Sequence, residues 1–486
     1  MKILRILVAM GMLALVGRAN GQALTNLYSF TKSPVNQSGS HAALVQGSDS
    51  NFYGTTTGYP WNLLGSSVGT VFRISPKGSY TNLHFFTTAY PYDGAYPFAS
   101  LIQGSNGYFY GTTQLGGTYV SGIVFRISSN GSYTNLYSFG SYLNDGAQPL
   151  SGLVQGSDGY FYGTTWQGGT YNSGTVFRIS SNGSYTNLYS FGGYATDGAE
   201  PLSGLVQGSD GNFYGTTSEG GTHNTGTVFR ISSDGSYTNL YSFGNSLADG
   251  NKPNKLLQGS DGNFYGTTWQ GGTNACACGT LFRISPSGIE TNLYTFGNLP
   301  NEGKNPNAGL VQGSDGNFYG TTWYGGNTNL DDTYMYYGYG TGYGTIFRIS
   351  PSGIETTLYI FGDSPTDGAQ PNQLVQGIDG NFYGTTWTLG TNDSGTVFRF
   401  SIPLNPPPWP INQITEVQPS GTNVVFNVVS IAGETYQLQF SPSMNPTNWV
   451  NVPNVSVTNS IGAMLTLTNF GGASGPQGFY RFAITP

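Results

Sequence analysis

The pentapeptide Phe-Tyr-Gly-Thr-Thr occurs seven times in this chain, with its tyrosine at Tyr53, Tyr110, Tyr162, Tyr214, Tyr265, Tyr319 and Tyr383. Successive copies lie 57, 52, 52, 51, 54 and 64 residues apart. A unit of that length cannot bury its own apolar face and must stack on its neighbours, so the spacing restricts the chain to a repeat architecture.

Each unit reads as four short strands. In residues 151–191, Ser-Gly-Leu-Val-Gln (151–155) is the first, and a Gly-Ser-Asp-Gly turn leads to Tyr-Phe-Tyr-Gly-Thr-Thr (160–165). The loop 166–173 leads to Gly-Thr-Val-Phe-Arg-Ile-Ser (174–180), and a Ser-Asn-Gly turn leads to Tyr-Thr-Asn-Leu-Tyr-Ser-Phe (185–191). Val, Ile, Thr, Tyr and Phe suit a pleated strand, and Asp-Gly and Asn-Gly supply tight hairpin turns. Seven four-stranded antiparallel meanders predict an all-β fold, a seven-bladed β-propeller. A β-sandwich has no use for seven near-identical units, and a solenoid coil is shorter and parallel.

The two ends of the repeat region predict how the ring closes. Residues 24–30, Leu-Thr-Asn-Leu-Tyr-Ser-Phe, are a fourth strand with no first three before them. The last unit has its first three strands (373–376, 381–386 and 395–401) and no fourth. The N-terminal strand is expected to complete that blade and remove its raw edge. The propeller then spans 22–402. A stiff proline-rich linker, 403–410, separates it from 411–486, whose five alternating strands predict a small β-sandwich of immunoglobulin or fibronectin III type with Trp449 in its core.

The first 21 residues read as a secretory signal: Lys2 and Arg5, then an apolar run from Ile6 to Val16, then Ala19-Asn20-Gly21. No second apolar stretch follows, so no transmembrane segment is expected, and the protein is expected to be secreted or held at the cell surface. The formal charge is −7 over the whole chain. Without Lys2, Arg5 and Arg18, thirteen basic residues face twenty-three acidic ones, which argues against nucleic acid as a partner. The two cysteines, Cys276 and Cys278, are read as small residues in a variable loop, since a Cys-x-Cys bridge closes a very tight ring and two thiols make a poor zinc site.

Several polar residues recur in register. Arg73, Arg126, Arg178, Arg230, Arg283, Arg348 and Arg399 fall on the third strand, and Asp49, Asp158, Asp210, Asp261, Asp315 and Asp379 on the turn between the first two, with Asn106 in the second unit. A group present in every blade is architectural, so these are expected to pair with one another or to cap turns. Asp93, Asp145, Asp197, Asp249, Glu302 and Asp367 precede the first strand. They are turn residues, five in Asp-Gly and one in Glu-Gly, or, on the functional reading, a ring of carboxylates at the channel mouth for cations or sugar hydroxyls. Trp61, Trp166, Trp269, Trp323 and Trp387 follow the second strand, where the longer loops gather, and suit either stacking on sugar rings or packing between blades. The sixth unit carries an inserted loop, 324–343, with Asp331 and Asp332, too few carboxylates for a calcium shell. His41, His84 and His223 stand in unrelated contexts, with no triad, zinc-protease or phosphate-loop pattern, so no metal or cofactor is expected.

The unit Leu-Val-Gln-Gly-Ser-Asp-Gly-Asn-Phe-Tyr-Gly-Thr-Thr-Trp-Gln-Gly-Gly-Thr, followed by Gly-Thr-Val-Phe-Arg-Ile-Ser and Tyr-Thr-Asn-Leu-Tyr-Ser-Phe, resembles the tandem repeat of the bacterial GloVer-repeat proteins, which are exported. It is also similar to propeller repeats in the sensor regions of some two-component regulators. The match covers about residues 24–402. It implies a secreted or surface propeller and carries over no activity and no catalytic residues. The C-terminal segment resembles a small β-domain appended to such proteins, and the chain ends at Phe482-Ala-Ile-Thr-Pro486 without the apolar tail of anchored members. The expected function is extracellular binding or scaffolding by a monomer, with a glycan or protein ligand on the long-loop face. The alternatives are a polysaccharide hydrolase or lyase on the same scaffold, or a purely structural or adhesive protein.

Overall fold

The computed structural model describes residues 23–31, 39–58, 68–87, 93–142, 144–246, 248–274, 276–299, 301–326, 342–364 and 366–402, and the backbone of six strands beyond them. The chain divides into two compact units, Met1–Ile402 and Pro403–Pro486. The first is a seven-bladed β-propeller of small antiparallel sheets, and no helix occurs among the described residues. A representative blade runs Val154–Gln155, Phe161–Thr165, Thr175–Ile179 and Tyr185–Ser190, in that order from the axis outward.

Each letter of the repeated pentapeptide has a place in the packing. The phenylalanine of one blade stacks on the tyrosine of the blade before it, from Tyr53 on Phe109 round to Tyr383 on Phe52, with centroids 3.9 to 4.4 Å apart at all seven interfaces. Both rings are almost fully buried in every blade, about 1.5–3 kcal/mol of apolar transfer per side chain. The glycine faces the third-strand phenylalanine. A Cβ on Gly163 would lie 2.7 Å from both Phe177 Cζ and Leu153 Cδ2, so only hydrogen lets that ring lie flat across the strand. The first threonine donates to an inner-strand carbonyl of the next blade, from Thr55 to Ala99 through to Thr385 to Ala42, at 3.0–3.3 Å in all seven. The second threonine meets the third-strand threonine of its own blade in six of them, as Thr165 meets Thr175 at 2.8 Å.

A second girdle lies at the tight-turn end. The glutamine ending each inner strand accepts from a turn amide of the blade before it, from Ser48 to Gln103 through to Ile378 to Gln46, at 2.8–3.1 Å in all seven blades.

Ala23–Ser29 pairs antiparallel with Thr396–Ser401 and completes the last blade. Its ladder slips between Asn26 and Tyr28, and the outer strands of the other six blades slip at the same place, as between Phe177 and Val176 in the third. The closing strand is therefore a true copy of an outer strand. In one respect the sequence reading needs correction. Inner-strand pairing begins before residue 151: Gly146–Ala147 pairs with Gln167–Gly168, and in the fifth blade Gly250–Pro253 and Leu257–Gln258 both pair with Phe264–Gly271. The Asp-Gly pairs thus open the inner strands.

The second unit contains two three-stranded antiparallel sheets. One is Ile414–Ser420, Asn423–Val429 and Met464–Asn469, and the other is Val450–Thr458, Thr435–Ser441 and Phe479–Thr485. Trp449 lies outside the described residues.

Removal of residues 23–30 bares the Thr396–Ser401 edge and the apolar slot of Phe30, which is fully buried. The truncated protein is expected to melt several degrees or more below the intact one in circular dichroism, and a synthetic Leu24–Phe30 peptide should recover part of the loss. Equal melting temperatures would overturn this account of closure.

Candidate functional site

The inner strands run from the long-loop face to the tight-turn face, and each enters through a residue of left-handed backbone. These are Tyr96, Gln148, Glu200, Lys252, Asn305 and Gln370, with φ between 54° and 58°, and Gly39 takes the same role in the first blade at φ 73°. The N–H of each of the six donates to a loop carbonyl of the preceding blade, as Gln148 does to Ser121 at 2.7 Å and Glu200 to Ser173 at 2.9 Å. Carbonyls of Tyr96, Gln148, Glu200 and Asn305 accept from the residue just after the pentapeptide: Gln114, Trp166, Ser218 and Trp323. Non-glycine residues in this conformation cost on the order of 1 kcal/mol each and concentrate where a surface has to be presented in one shape. The result is a ring at the channel mouth, in which these residues alternate with Thr57, Gln114, Trp166, Ser218, Trp269, Trp323 and Trp387.

On one side of that ring the side chains are aromatic. Trp323 stacks on Trp387 at 5.6 Å and 17°, and Trp269 meets Trp323 edge-on at 5.7 Å and 87°. His41 lies 4.8 Å from Trp387, 6.4 Å from Trp323 and 5.1 Å from Phe98. The first and sixth blades are not neighbours in the ring, so a contact between His41 and Trp323 places the cluster at the axis. All five side chains are half-buried. The indole N–H of Trp323 and the Oδ1 of Asn305 are shielded from solvent without a hydrogen-bond partner. Burial lowers the His41 pKa to about 4, so at neutral pH its imidazole is uncharged and this side of the mouth is a neutral aromatic surface. Of the five predicted tryptophans, three come together here. Trp166 is half-buried in the third blade, and Trp61 lies outside the described residues, as do Asp331 and Asp332.

The recurrent charges are arranged differently from a simple pairing. No Arg–Asp ion pair links the third-strand arginines to the turn aspartates among the described residues. Asp49, Asp158, Asp210, Asp261, Asp315 and Asp379 each accept from the pentapeptide tyrosine four residues on, at 2.6–2.8 Å, and from the backbone of their own turn. Asn106 does the same work by donating to Tyr110 at 2.8 Å. Burial, and then the aspartate, raises Tyr53, Tyr162, Tyr214 and Tyr265 to about 12, while the arginine beside each phenol opposes the rise. The guanidinium instead reaches the next blade, Arg73 to the Ser129 carbonyl at 3.5 Å, Arg126 to Ser181 and Arg178 to Ser233 at 3.3 Å. The tyrosine hydroxyl thus separates the two charges. Arg230, Arg283, Arg348 and Arg399 hold the same register opposite Tyr214, Tyr265, Tyr319 and Tyr383.

The second acidic set lies beneath the crossings between blades and not at the lip of the channel. Asp145 accepts at Oδ2 from Tyr137 Oη (2.8 Å) and the amides of Gly140 and Ser141, and at Oδ1 from its own successor Gly146. Asp197 and Asp249 repeat the pattern with Tyr189 and Tyr241. Glu302 accepts from Tyr294 and Leu299 N, and Asp367 from Tyr359 and Ser364 N. These five are 3–8% exposed. In the first unit His84 replaces the tyrosine and meets Asp93 at 2.8 Å. Backbone amides that a crossing leaves unpaired attract each carboxylate inward, where a ligand could not reach it.

Two titratable groups escape the sequence reading. Outer strands begin with Tyr133, Tyr185 or Tyr237 where they stack on His84, Tyr137 or Tyr189 of the previous blade, but with Glu290 and Glu355 in two others. The signal was present as Glu-Thr-Asn-Leu and Glu-Thr-Thr-Leu in place of Tyr-Thr-Asn-Leu. Burial, reinforced by Asp249 for Glu290 and by Glu302 for Glu355, raises each to about 7. The cysteines also depart from expectation, because Cys276 and Cys278 form a disulfide. Ala277 between them takes φ 47°, which brings the two Cα atoms to 5.1 Å, inside the range a bridge spans. On the opposite face, a cleft of about 250 Å³ between the fifth and sixth blades is lined by Asp261, Tyr265, Gln312 and Asp315, whose side chains are held by the turn bonds above. No group of three or more His, Cys, Asp or Glu among the described residues could hold a metal ion, and no helix among them is long and apolar enough to cross a membrane.

The family model described as the Gloeobacter/Verrucomicrobia repeat matches residues 17–208 and 194–336. No curated protein matches the sequence. Similar solved structures include the extracellular domain of a hybrid two-component system from B. thetaiotaomicron, at 14% identity over 95% of this chain and 55% of that one, with a TM-score of 0.49. This chain thus spans about half the length of that relative. A fungal alcohol oxidase of the AA5 family in complex with copper shares 12% identity over 94% and 95% of the two chains, at a TM-score of 0.47. The α-L-arabinanase of Penicillium chrysogenum complexed with arabinobiose shares 13% over 62% and 94%, at 0.40. At such identities nothing about substrate or activity transfers.

The raised carboxyls give a pH dependence with a definite sign. A folded pKa of about 7 against an ordinary 4.5 means that the folded state holds protons the unfolded state has released. That stabilisation is complete below about 4.5 and lost as pH rises through about 7. His41 acts oppositely, weakening the fold as pH falls from 6.5 towards 4, so the carboxyls dominate above 6.5. Between pH 6.5 and 8 the melting temperature is expected to fall, and the fall should vanish in the Glu290→Gln, Glu355→Gln double variant. A wild-type melting curve flat across that window would contradict the assignment.

Proposed function

The chain belongs to the Gloeobacter/Verrucomicrobia repeat family, and on that premise we propose that it is an exported binding protein that holds a glycan at the axial mouth of its propeller. The observation that carries this reading is the half-buried wall of Trp269, Trp323 and Trp387 with His41 and Phe98, assembled across the axis from five blades. Packing between neighbouring blades is already supplied by the phenylalanine–tyrosine stacks, so these rings are surplus to the scaffold. A sugar presents an apolar C–H face to an indole and hydroxyls to its rim. Beside the indoles, the mouth also carries the polar side chains of Gln148, Glu200, Lys252 and Gln370, which can meet hydroxyls. The basic, apolar and small-residue order of residues 1–21 supports export. The carboxyl neighbours Glu290 and Glu355 belong to outermost strands, remote from the axis, so no hydrolytic role is assigned to them.

A glycan array probed with the full-length protein is the direct test. We expect retention of a subset of oligosaccharides, quenching of tryptophan fluorescence on binding, and at least about tenfold weaker binding by Trp323→Ala and Trp387→Ala, with melting temperatures checked alongside. If no glycan is retained, or if both variants bind as tightly as the wild type, the reading fails.

A further inference from the structure

Midway along the inner strands the seven blades contribute Ala43, Ser100, Gly152, Gly204, Lys255, Gly309 and Gln373, one residue each just before the buried leucine. Small residues are imposed here by close approach of the strands round the axis. A Cβ on Gly152 would lie 2.8 Å from the Ser100 carbonyl oxygen, and one on Gly204 would lie 3.0 Å from that of Gly152. The Ala43 amide donates to Ser100 Oγ across the same gap at 3.1 Å. Two long side chains break the pattern. Gly309 is wedged between them, since a Cβ there would meet both Lys255 Cβ and Gln373 Nε2 at 3.2 Å. Gln373 is engaged by the Leu310 carbonyl at 3.4 Å, but the Lys255 ammonium has neither a hydrogen-bond acceptor nor an ion-pair partner among the described residues. Burial alone pushes its pKa down.

A half-buried ammonium with no protein acceptor has lost part of its hydration and is open to an anionic partner. Its surroundings indicate the kind of partner. Outside the seven third-strand arginines, the chain after residue 21 has only six basic residues, and three of them, Lys252, Lys255 and Lys304, lie on the inner strands of the fifth and sixth blades. Lys252 belongs to the left-handed ring at the mouth. Trp269 and Trp323 come from the same two blades. The carboxylates of Glu200 and Glu219 stand at the mouth on the fourth blade. A chain of net charge −7 thus gathers free positive charge beside its aromatic wall, with negative charge on the flank.

We infer that the axial channel is an anion-receiving subsite, in which Lys255 takes the carboxylate of an acidic sugar whose ring lies against Trp269 and Trp323, so that the ligand is a hexuronate-containing glycan. This rests on the reading of the mouth as a glycan site. A uronate matches both halves of the site: its ring face suits indole, and its carboxylate supplies the acceptor that the ammonium lacks. Lys252 and Lys304 steer the acidic chain towards the mouth, and Glu200 and Glu219 exclude it from the fourth-blade side.

The test uses full-length protein and calorimetry with a panel of oligouronates (galacturonate, glucuronate, and mannuronate with guluronate), each beside its carboxyl-reduced neutral counterpart. The wild type should bind at least one oligouronate about tenfold or more tightly than its neutral twin. Lys255→Met should erase that preference by weakening the acidic ligand to the level of the neutral one, while Trp323→Ala should weaken both alike. Removal of a half-buried charge that has no protein partner should leave the Lys255→Met melting temperature unchanged or higher. If the neutral twins bind as well as the acids, or if Lys255→Met keeps the preference, the inference falls and the glycan reading stands. If neither form binds, the inference falls, and the glycan array alone decides the broader reading. The wild-type comparison alone decides the matter should the variant misfold.

Discussion

The ring depends on one contact made seven times, the phenylalanine of each blade laid on the tyrosine of the blade before it. It is the point where a strand's two faces are assigned: one residue of the pair looks back, its neighbour looks forward, and a β-strand alternates in just that way. Stacks at 3.9–4.4 Å set the separation of adjacent sheets. With the sheets at that distance, a threonine hydroxyl reaches the next inner strand and a glutamine carbonyl reaches the turn amide of the blade before it. The two polar girdles are specific only because the aromatic spacing is the same at every interface, and both close through the joint between the last and first blades. Polar groups that would be costly if left unpaired in the interior become the register marks of the ring.

That regularity explains what could be read from the amino acids alone. The pentapeptide spacing, the short turns and the missing fourth strand are local or periodic properties, and strand identity, blade number and closure follow from them. The start of the inner strands was less legible. Asp145-Gly146 has the chemistry of a turn, and only the pairing of Gly146–Ala147 with Gln167–Gly168 shows it to be the first step of a strand. Recurrence marks the arginines and aspartates as architectural, but does not show that the tyrosine stands between them, because four residues along a hairpin have no signature in a linear pattern.

The site was the least legible part. Trp269, Trp323 and Trp387 stood out by type and position, but His41, Phe98 and Lys255 did not, since they occupy two positions of the inner strand whose residue changes from blade to blade. What unites them is the axis, and an axis is a property of the closed ring. Repetition conceals such residues: the eye is drawn to what recurs, whereas a single ligand needs the places where the repeat is broken. Glu290 and Glu355 make the same point at the rim, where carboxyl groups stand in a row of stacked tyrosines.

The closing strand has a consequence for how the molecule comes into being. Ala23 belongs to the first strand of the propeller to be synthesised, and its partner Ser401 is nearly the last of its residues. Until the final blade exists, Tyr28 and Phe30 can rest on Tyr80 and Phe72 of the first blade but their strand has no ladder partner, and every blade formed in between leaves one face open. Assembly is therefore a race between a growing stack and its own exposed end, and the contact that ends the race spans almost the whole chain, the slowest kind to form.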